Sequence, residues 1–240
     1  MRESERRILR EKEEQEMTFS EITADCAISF LLPRHYSGRV PSICKAFGWF
    51  DDDGNLKAVC TFGKPASPSL CDGVCGKDYS QNVYELNRLC RTDDLTAQLS
   101  QFVAACLRSL KRKDWIIVSY SDTQMHHNGY IYQACNFIYT GCTKPRTDLY
   151  TNRGKHSRHY RHEAQSGLRK IRSAKHRYIY FCTADKKTKH AWMKALKYPV
   201  CDYPKGVNEN YILGHFMQDV IIKDPNAKPI NYDDDLFGEL

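Results

Sequence analysis

The sequence predicts a mixed α/β fold: a central mixed sheet flanked by helices, with a basic extension on its C-terminal side. Three observations point there. A cluster of turn formers, Asp51-Asp52-Asp53-Gly54-Asn55, separates two apolar runs and reads as a β-hairpin. Leu95, Leu99, Phe102, Val103, Cys106, Leu107 and Leu110 repeat with helical spacing, so one stripe of a long helix packs on a sheet. Apolar runs before and after that helix read as buried strands, which makes a β-α-β crossover. The 240 residues, 41% of them hydrophobic, suffice for one large domain or a domain with a subdomain.

Taken in order, residues 2–16 are almost wholly charged, with helix propensity but little to bury. A strand opens near residues 19–22. Residues 24–32 form a short amphipathic helix that Pro33 should stop, and His35-Tyr36-Ser37-Gly38 follows in a loop. The hairpin pairs residues 46–50 with 56–62. Residues 63–81, with four Gly and Pro signals within 63–73, read as a long loop. Then come a strand over 83–90, N-cap candidates at Thr92-Asp93-Asp94, the long helix over 95–111, a strand over 115–120, a short helix over 129–136 and a strand over 137–141. Beyond these lie a turn at 151–154, a strand at 177–182, a helix at 186–196, an extended connector over 198–206 and a short helix near 211–220. The expected division is a charged arm (1–17), a catalytic core (18–143), a basic extension (144–206) and a tail (207–240).

Composition narrows the classes. No apolar run approaches the roughly 18 residues a membrane span needs, and no secretory signal pattern opens the chain. The eleven cysteines are odd in number, scattered and mostly within apolar patterns, which fits free thiols in a reducing cytoplasm. Cys71 and Cys75 are the one pair spaced for a metal, and a plain loop is the preferred reading. The net charge is +7, yet residues 144–190 hold 14 Lys and Arg against 3 Asp and Glu, a net +11. That asymmetry predicts a polyanionic partner, double-stranded DNA first, against the alternative of a solvated linker. Arg158-His159-Tyr160-Arg161-His162 interleaves bases with aromatics, which suits phosphate contact and stacking. Nothing in the sequence calls for an obligate protein partner.

Two segments concentrate polar side chains on apparent core strands, where unpaired polar groups are costly. One is Tyr84-Glu85-Leu86-Asn87-Arg88-Leu89. The other runs from Ser119-Tyr120-Ser121-Asp122 through His127-Asn128-Gly129 to Tyr132-Gln133-Ala134, Phe137, Tyr139 and Gly141. With His35-Tyr36, Leu196-Lys197-Tyr198-Pro199 and Tyr203-Pro204-Lys205, they make residues 20–206 resemble the phage Mom proteins. The resemblance implies a fold of the GCN5-related N-acetyltransferase type. It also implies a DNA adenine substrate and a carbamoylmethyl (acetamido) group placed on the exocyclic amine. In phages that mark blocks host restriction enzymes, in the host-cell cytoplasm.

Candidate roles follow, each with its alternative. Strict alternation sets Tyr84, Leu86 and Arg88 on one face of the strand and Glu85, Asn87 and Leu89 on the other. Glu85 suits a general base with a raised pKa, or an ion pair with Arg88 or Arg91. Ser119 and Asp122 end a strand where the resemblance admits the donor. Asp122 could orient a ligand, deprotonate an amine, bind a metal or cap the next helix. Tyr132 is a phenolic proton donor or a core tyrosine. His35, Tyr36 and His127 are acid/base, structural or iron-binding groups. The donor is placed at Leu89, Arg91 and Asn128, and DNA contacts at Arg88, Arg158, Arg161, Arg169 and Lys170. Acetyl-CoA enzymes of the implied fold cradle the pyrophosphate with a glycine turn before the long helix. Here Arg91-Thr92-Asp93-Asp94-Leu95-Thr96 has no glycine and two acids. The product adds a second departure. Acetyl transfer leaves a carbonyl on nitrogen, whereas a carbamoylmethyl group is joined through CH2 and carries another nitrogen. The expected cofactor is therefore acetyl-CoA or a glycine-derived donor, with iron as a possible helper.

Overall fold

The computed structural model describes residues 17–151, 167–206 and 220–226. The charged arm before Met17, Arg158, Arg161 and the basic-aromatic run around them, all but the last residue of the helix expected at 211–220, and the acidic end lie outside the described residues.

The strands are β1 (Thr18–Glu21), β2 (Lys45–Phe50), β3 (Leu56–Gly63), β4 (Val83–Arg91), β5 (Trp115–Asp122), β6 (Ile138–Cys142), β7 (Arg146–Leu149), β8 (Leu168–Arg172), β9 (Lys175–Cys182) and β10 (Ile221–Lys223). The helices are α1 (Ala24–Arg34), α2 (Pro68–Cys75), α3 (Leu99–Leu110), α4 (Tyr130–Ala134) and α5 (Lys186–Ala195). A seven-stranded sheet runs β1-β2-β3-β4-β5-β9-β6, and a three-stranded sheet runs β10-β8-β7. Every pairing is antiparallel except β4 with β5, which α3 connects as the expected crossover. β9 lies between β5 and β6, so the basic stretch after residue 143 contributes a strand to the central sheet.

Alternation along the strands divides the core between two faces. On one face Phe102, Val103, Cys106, Leu107 and Leu110 of α3 meet Cys60, Phe62, Leu86 and Ile117. On the other, α1 packs Ala27, Phe30 and Leu31 on Ala46 and Val59, while Val74, Cys75 and Trp192 cover Ile116, Val118 and Ile179.

Four local expectations change. α1 begins at the Thr23 cap, which accepts from the Cys26 amide, and runs through Pro33 to Arg34. In the last turn a proline interrupts little of the ladder. Residues 63–81 are no plain loop: they hold α2, which carries Cys71 and Cys75, and most of a 3-10 helix at Lys77–Asn82. α3 starts at Leu99 rather than residue 95; Leu95 is buried in the preceding turn, its amide donating to Thr92. Finally, β4 is bulged. Thr61 faces Arg88 while Phe62 faces Leu86, so Asn87 is an extra residue opposite the step between them. Asn87 is pinned there, donating to the Ser42 carbonyl at 2.7 Å and accepting from Thr61 Oγ1 at 2.6 Å. Leu86 and Leu89 consequently pack on the same core, which strict alternation forbids.

Candidate active site at the fork of β4 and β5

β4 and β5 pair only from Val83↔Ile116 to Leu86↔Ser119. Past that step they part, and polar side chains gather at the opening. The Leu86 carbonyl at the fork accepts from Ser119 Oγ at 3.0 Å, and Ser119 is fully buried. The Tyr132 phenol hydrogen-bonds Ser119 in turn. Tyr132 packs against Phe137 and Tyr178, each with ring centroids 5.3 Å away. Burial pushes its pKa well up against the opposing hydrogen bond of Ser119, and Tyr36 and Glu85 add to the rise, so the phenol keeps its proton.

α4 is fixed at this place by its neighbours. Gly129 has φ +76°, and a Cβ there would stand 2.5 Å from the Tyr178 ring. Tyr178 donates to the Asn128 carbonyl, and Gln133 Nε2 reaches Asn128 O, Tyr178 Oη and Pro204 O at 3.0, 3.2 and 3.3 Å. Tyr203 donates to Phe137 O at 2.7 Å. The Tyr-Gln-Ala and Tyr-Pro-Lys motifs thus lock the connector onto the short helix.

On the other side of the opening, burial raises the pKa of Glu85, opposed by Arg88 and Lys175. Because of the bulge, Arg88 shares the field of Glu85 and Tyr36 rather than facing away. Asp122 takes the capping role among its candidates and adds an ion pair that was not among them. It caps the 3-10 turn Thr123–Met125 through the Gln124 amide, and it accepts from Lys175 Nζ at 2.6 Å and Ser173 Oγ at 2.5 Å. Burial alone would raise its pKa, but Lys175 and these hydrogen bonds outweigh that and hold it below the usual carboxylate value. His35 stacks on Tyr36 at 4.4 Å, and His127 meets Tyr36 edge-on at 6.5 Å. Burial, then Arg88 and Lys175, lower His35 to about 3, so it is neutral. Burial, then Asp122, raise Tyr36 to about 12.

The structure therefore brings Glu85, Ser119, Asp122 and Tyr132 around one opening, together with His35, Tyr36, His127 and Arg88. As an iron site the arrangement does not fit. Among the described residues no group of three or more His, Cys, Asp and Glu side chains could hold a metal ion. Asp122 is committed to Lys175, and the field at His35 is set by Arg88, Lys175 and Arg39, which oppose a cation.

The other candidates lie apart from the fork or do structural work. Leu89 packs into the core, and Arg91 donates to Leu95 O at 2.7 Å, bracing the turn before α3. The two acids expected there do not crown the helix. Asp94 is paired with Lys57 at 2.6 Å, and the first turn of α3 holds no acidic residue. Arg169 braces the small sheet, contacting Asp224 at 3.1 Å and Thr147 Oγ1 at 2.8 Å, and Lys170 stands on the same strand. Sequence reasoning missed Lys175, Ser173, Arg39 and Arg172. Within its run of basic residues no spacing sets Lys175 apart; only the register Asp122↔Lys175 does.

Solved acetyltransferases are similar in fold. A protein of Acinetobacter baylyi described as an acetyltransferase matches at TM-score 0.46 and 13% identity, over 70% of this chain and 93% of its own. A phosphinothricin acetyltransferase of the GNAT superfamily from Sinorhizobium meliloti, solved with acetyl-CoA, gives 0.45 and 8%, over 71% and 91%. The ribosomal-protein-S5-alanine acetyltransferase of Vibrio fischeri gives 0.44 and 7%, over 70% and 94%. No curated protein sequence matches significantly. The residues of the fork, the loop at Tyr36 and the connector at Tyr203 all fall within residues 16–205, which match the model of the Mom protein family, and the chain belongs to that family.

Proposed function

We propose that this transferase places a carbamoylmethyl group on the exocyclic amine of adenine in phage DNA and so shields that DNA from host restriction. The observation that carries the reading is a buried carboxyl of raised pKa, Glu85, and a protonated phenol, Tyr132, at one opening between parting strands. The adenine leaves the base stack to reach it. The amine nitrogen attacks the CH2 of a two-carbon amide donor, and the bond from that carbon to its leaving group breaks. Glu85 takes the proton that the amine loses, and Tyr132 gives one to the departing group. A glycine-derived amide balances this step. Acetyl-CoA alone leaves the methyl carbon two electrons too reduced and lacks the second nitrogen.

A second reading, acetyl-CoA-dependent N-acetylation, is favoured by the acid-free first turn of α3, whose N-terminus suits an anion. The basic residues 144–190 support a DNA partner for the first reading, and the eleven free cysteines suit the cytoplasm of the host cell. Mass spectrometry of nucleosides from expressing cells tests the proposal. A deoxyadenosine heavier by a carbamoylmethyl group is expected, and Glu85→Gln and Tyr132→Phe should each lower its yield rate by about 10²–10⁴. An added acetyl group instead would establish the second reading, and unmodified DNA from cells with soluble protein would remove the first.

A further inference from the structure

The loop after α1 carries a cation that no described residue neutralises directly. Among the described residues, the Arg39 guanidinium makes no hydrogen bond or ion pair. Its strongest charged neighbours are two further arginines, Arg172 and Arg88; with burial they lower its pKa to about 10. A half-buried arginine facing other arginines is unfavourable unless an anion completes the group. The surrounding geometry points the same way. Arg88 spends its two terminal nitrogens on carbonyls, those of Asn87 at 2.6 Å and Arg39 at 3.4 Å, which ties the loop to the bulge of β4. Its Nε is buried with no hydrogen-bond partner, and so is the hydroxyl of Ser37, two residues before Arg39. Buried donors left over in a folded chain mark a missing acceptor.

The carboxylates nearby do not supply it. Asp122 is taken by Lys175 and Ser173, and Asp148, which pairs with Arg172 Nε at 3.8 Å and also attracts Arg39, is one carboxylate among three guanidiniums. Glu85 lies in the field of Arg88 and Lys175, and burial favours its protonated form. Guanidinium groups in a cluster prefer a tetrahedral oxyanion, which several planar forks can bind at once.

We infer that Arg39 and Arg172, with Arg88 and the Ser37 hydroxyl, form a phosphate-binding site beside the fork, and that its occupant is the backbone phosphate flanking the target adenine. This rests on the DNA reading above and deepens it. A base turned out of the helix brings its own phosphates to the mouth of the pocket, and gripping one fixes the nucleotide without reading sequence. The same oxyanion chemistry could instead come from a phosphate of the donor, so the test must separate the two.

The experiment measures affinity of the full chain for a duplex carrying the target adenine. Single phosphates around that adenine are replaced in turn by uncharged methylphosphonates, and acetyl-CoA affinity is measured in parallel. One flanking replacement should weaken wild-type binding roughly tenfold or more. In Arg39→Gln and Arg172→Gln that replacement should cost nothing further, because the partner is already lost. Arg39→Lys, which keeps the charge but not the fork, should show part of the penalty and carries the cycle if Arg39→Gln does not fold. Equal penalties in wild type and variants at every position would overturn the site. So would variants that lose acetyl-CoA affinity while holding DNA normally, since the phosphate would then be the donor's. DNA that is modified without this coupling sinks the phosphate site alone. A chain that neither binds nor modifies DNA sinks the functional reading and this inference with it.

Discussion

The two halves of the β4–β5 pair are built for different purposes. In the paired half, Val83–Leu86 against Ile116–Ser119, side chains alternate between two apolar cores, apart from Glu85, whose field is that of Arg88 and Lys175 in the parted half, and Val83, Ile116, Ile117 and Val118 are wholly buried. In the parted half, residues 87–91 and 120–122, the neighbours are Glu85, Arg88, Lys175, Asp122 and two tyrosines of raised pKa. A single step of the ladder, Leu86↔Ser119, divides them. The contrast teaches that stability here comes from one end of two strands and reactivity from the other, with Ser119 as the joint.

That division can be broken from either end. Ile117→Ala, in the paired half, should cost about 2–5 kcal/mol of stability by opening a cavity under α3. Denaturant unfolding would show it, and a loss below 1 kcal/mol would contradict the two-half picture. At the joint, Ser119→Ala strands the Leu86 carbonyl and loosens Tyr132. About 1–3 kcal/mol is expected, with a larger fall in activity than Ile117→Ala causes at a temperature where both are folded. Equal activity losses would mean that Ser119 only packs.

The smallest effect is a pH dependence confined to the parted half. His35 is lowered and Asp122 is lowered, so both favour the fold at neutral pH. His35 gives up its share as pH falls from its ordinary 6.5 toward about 3, and Asp122 gives up its share as pH falls through its depressed value. Glu85 is raised, so its share is complete below the ordinary carboxyl value and is lost as pH rises through the raised one. Hence Glu85→Gln should stabilise the protein near neutral pH, whereas Asp122→Asn should destabilise it there and flatten the acid limb. Unfolding midpoints across pH would read the opposite signs, and slopes of one sign would refute the assignment.

Much of this was legible in the sequence where the signal is local. The Asp51–Asn55 turn is held by Asp51 accepting from the Asn55 amide at 2.7 Å, and the α3 stripe is buried as its spacing predicts. The reactive residues stood out because they are polar on apolar strands. What was hidden depends on distant partners. The bulge at Asn87 is set by Thr61 and Ser42, not by its own neighbours. Lys175 differs from thirteen other basic residues of its segment only by its register against Asp122. Residues 68–75 form a helix, with Pro68 at the favoured first position and despite Gly73, because Val74 and Cys75 find Trp192 and Val83 to pack on.

The late position of β9 in the chain has a consequence for synthesis and folding. β5 leaves the ribosome some sixty residues before the strand that completes it, and until Lys175–Cys182 arrives, Trp115–Asp122 is a sheet edge. That edge is apolar over Trp115–Val118 and offers a full row of unpaired backbone groups, the template on which chains aggregate. The loop closed by this pairing is long, so the step is slow as well as exposed. A chain cut after the last strand that precedes the basic segment would carry every catalytic candidate and still fail to fold cleanly. The basic segment is thus tied to production of the enzyme, since the strand that closes β5 lies downstream of most of it.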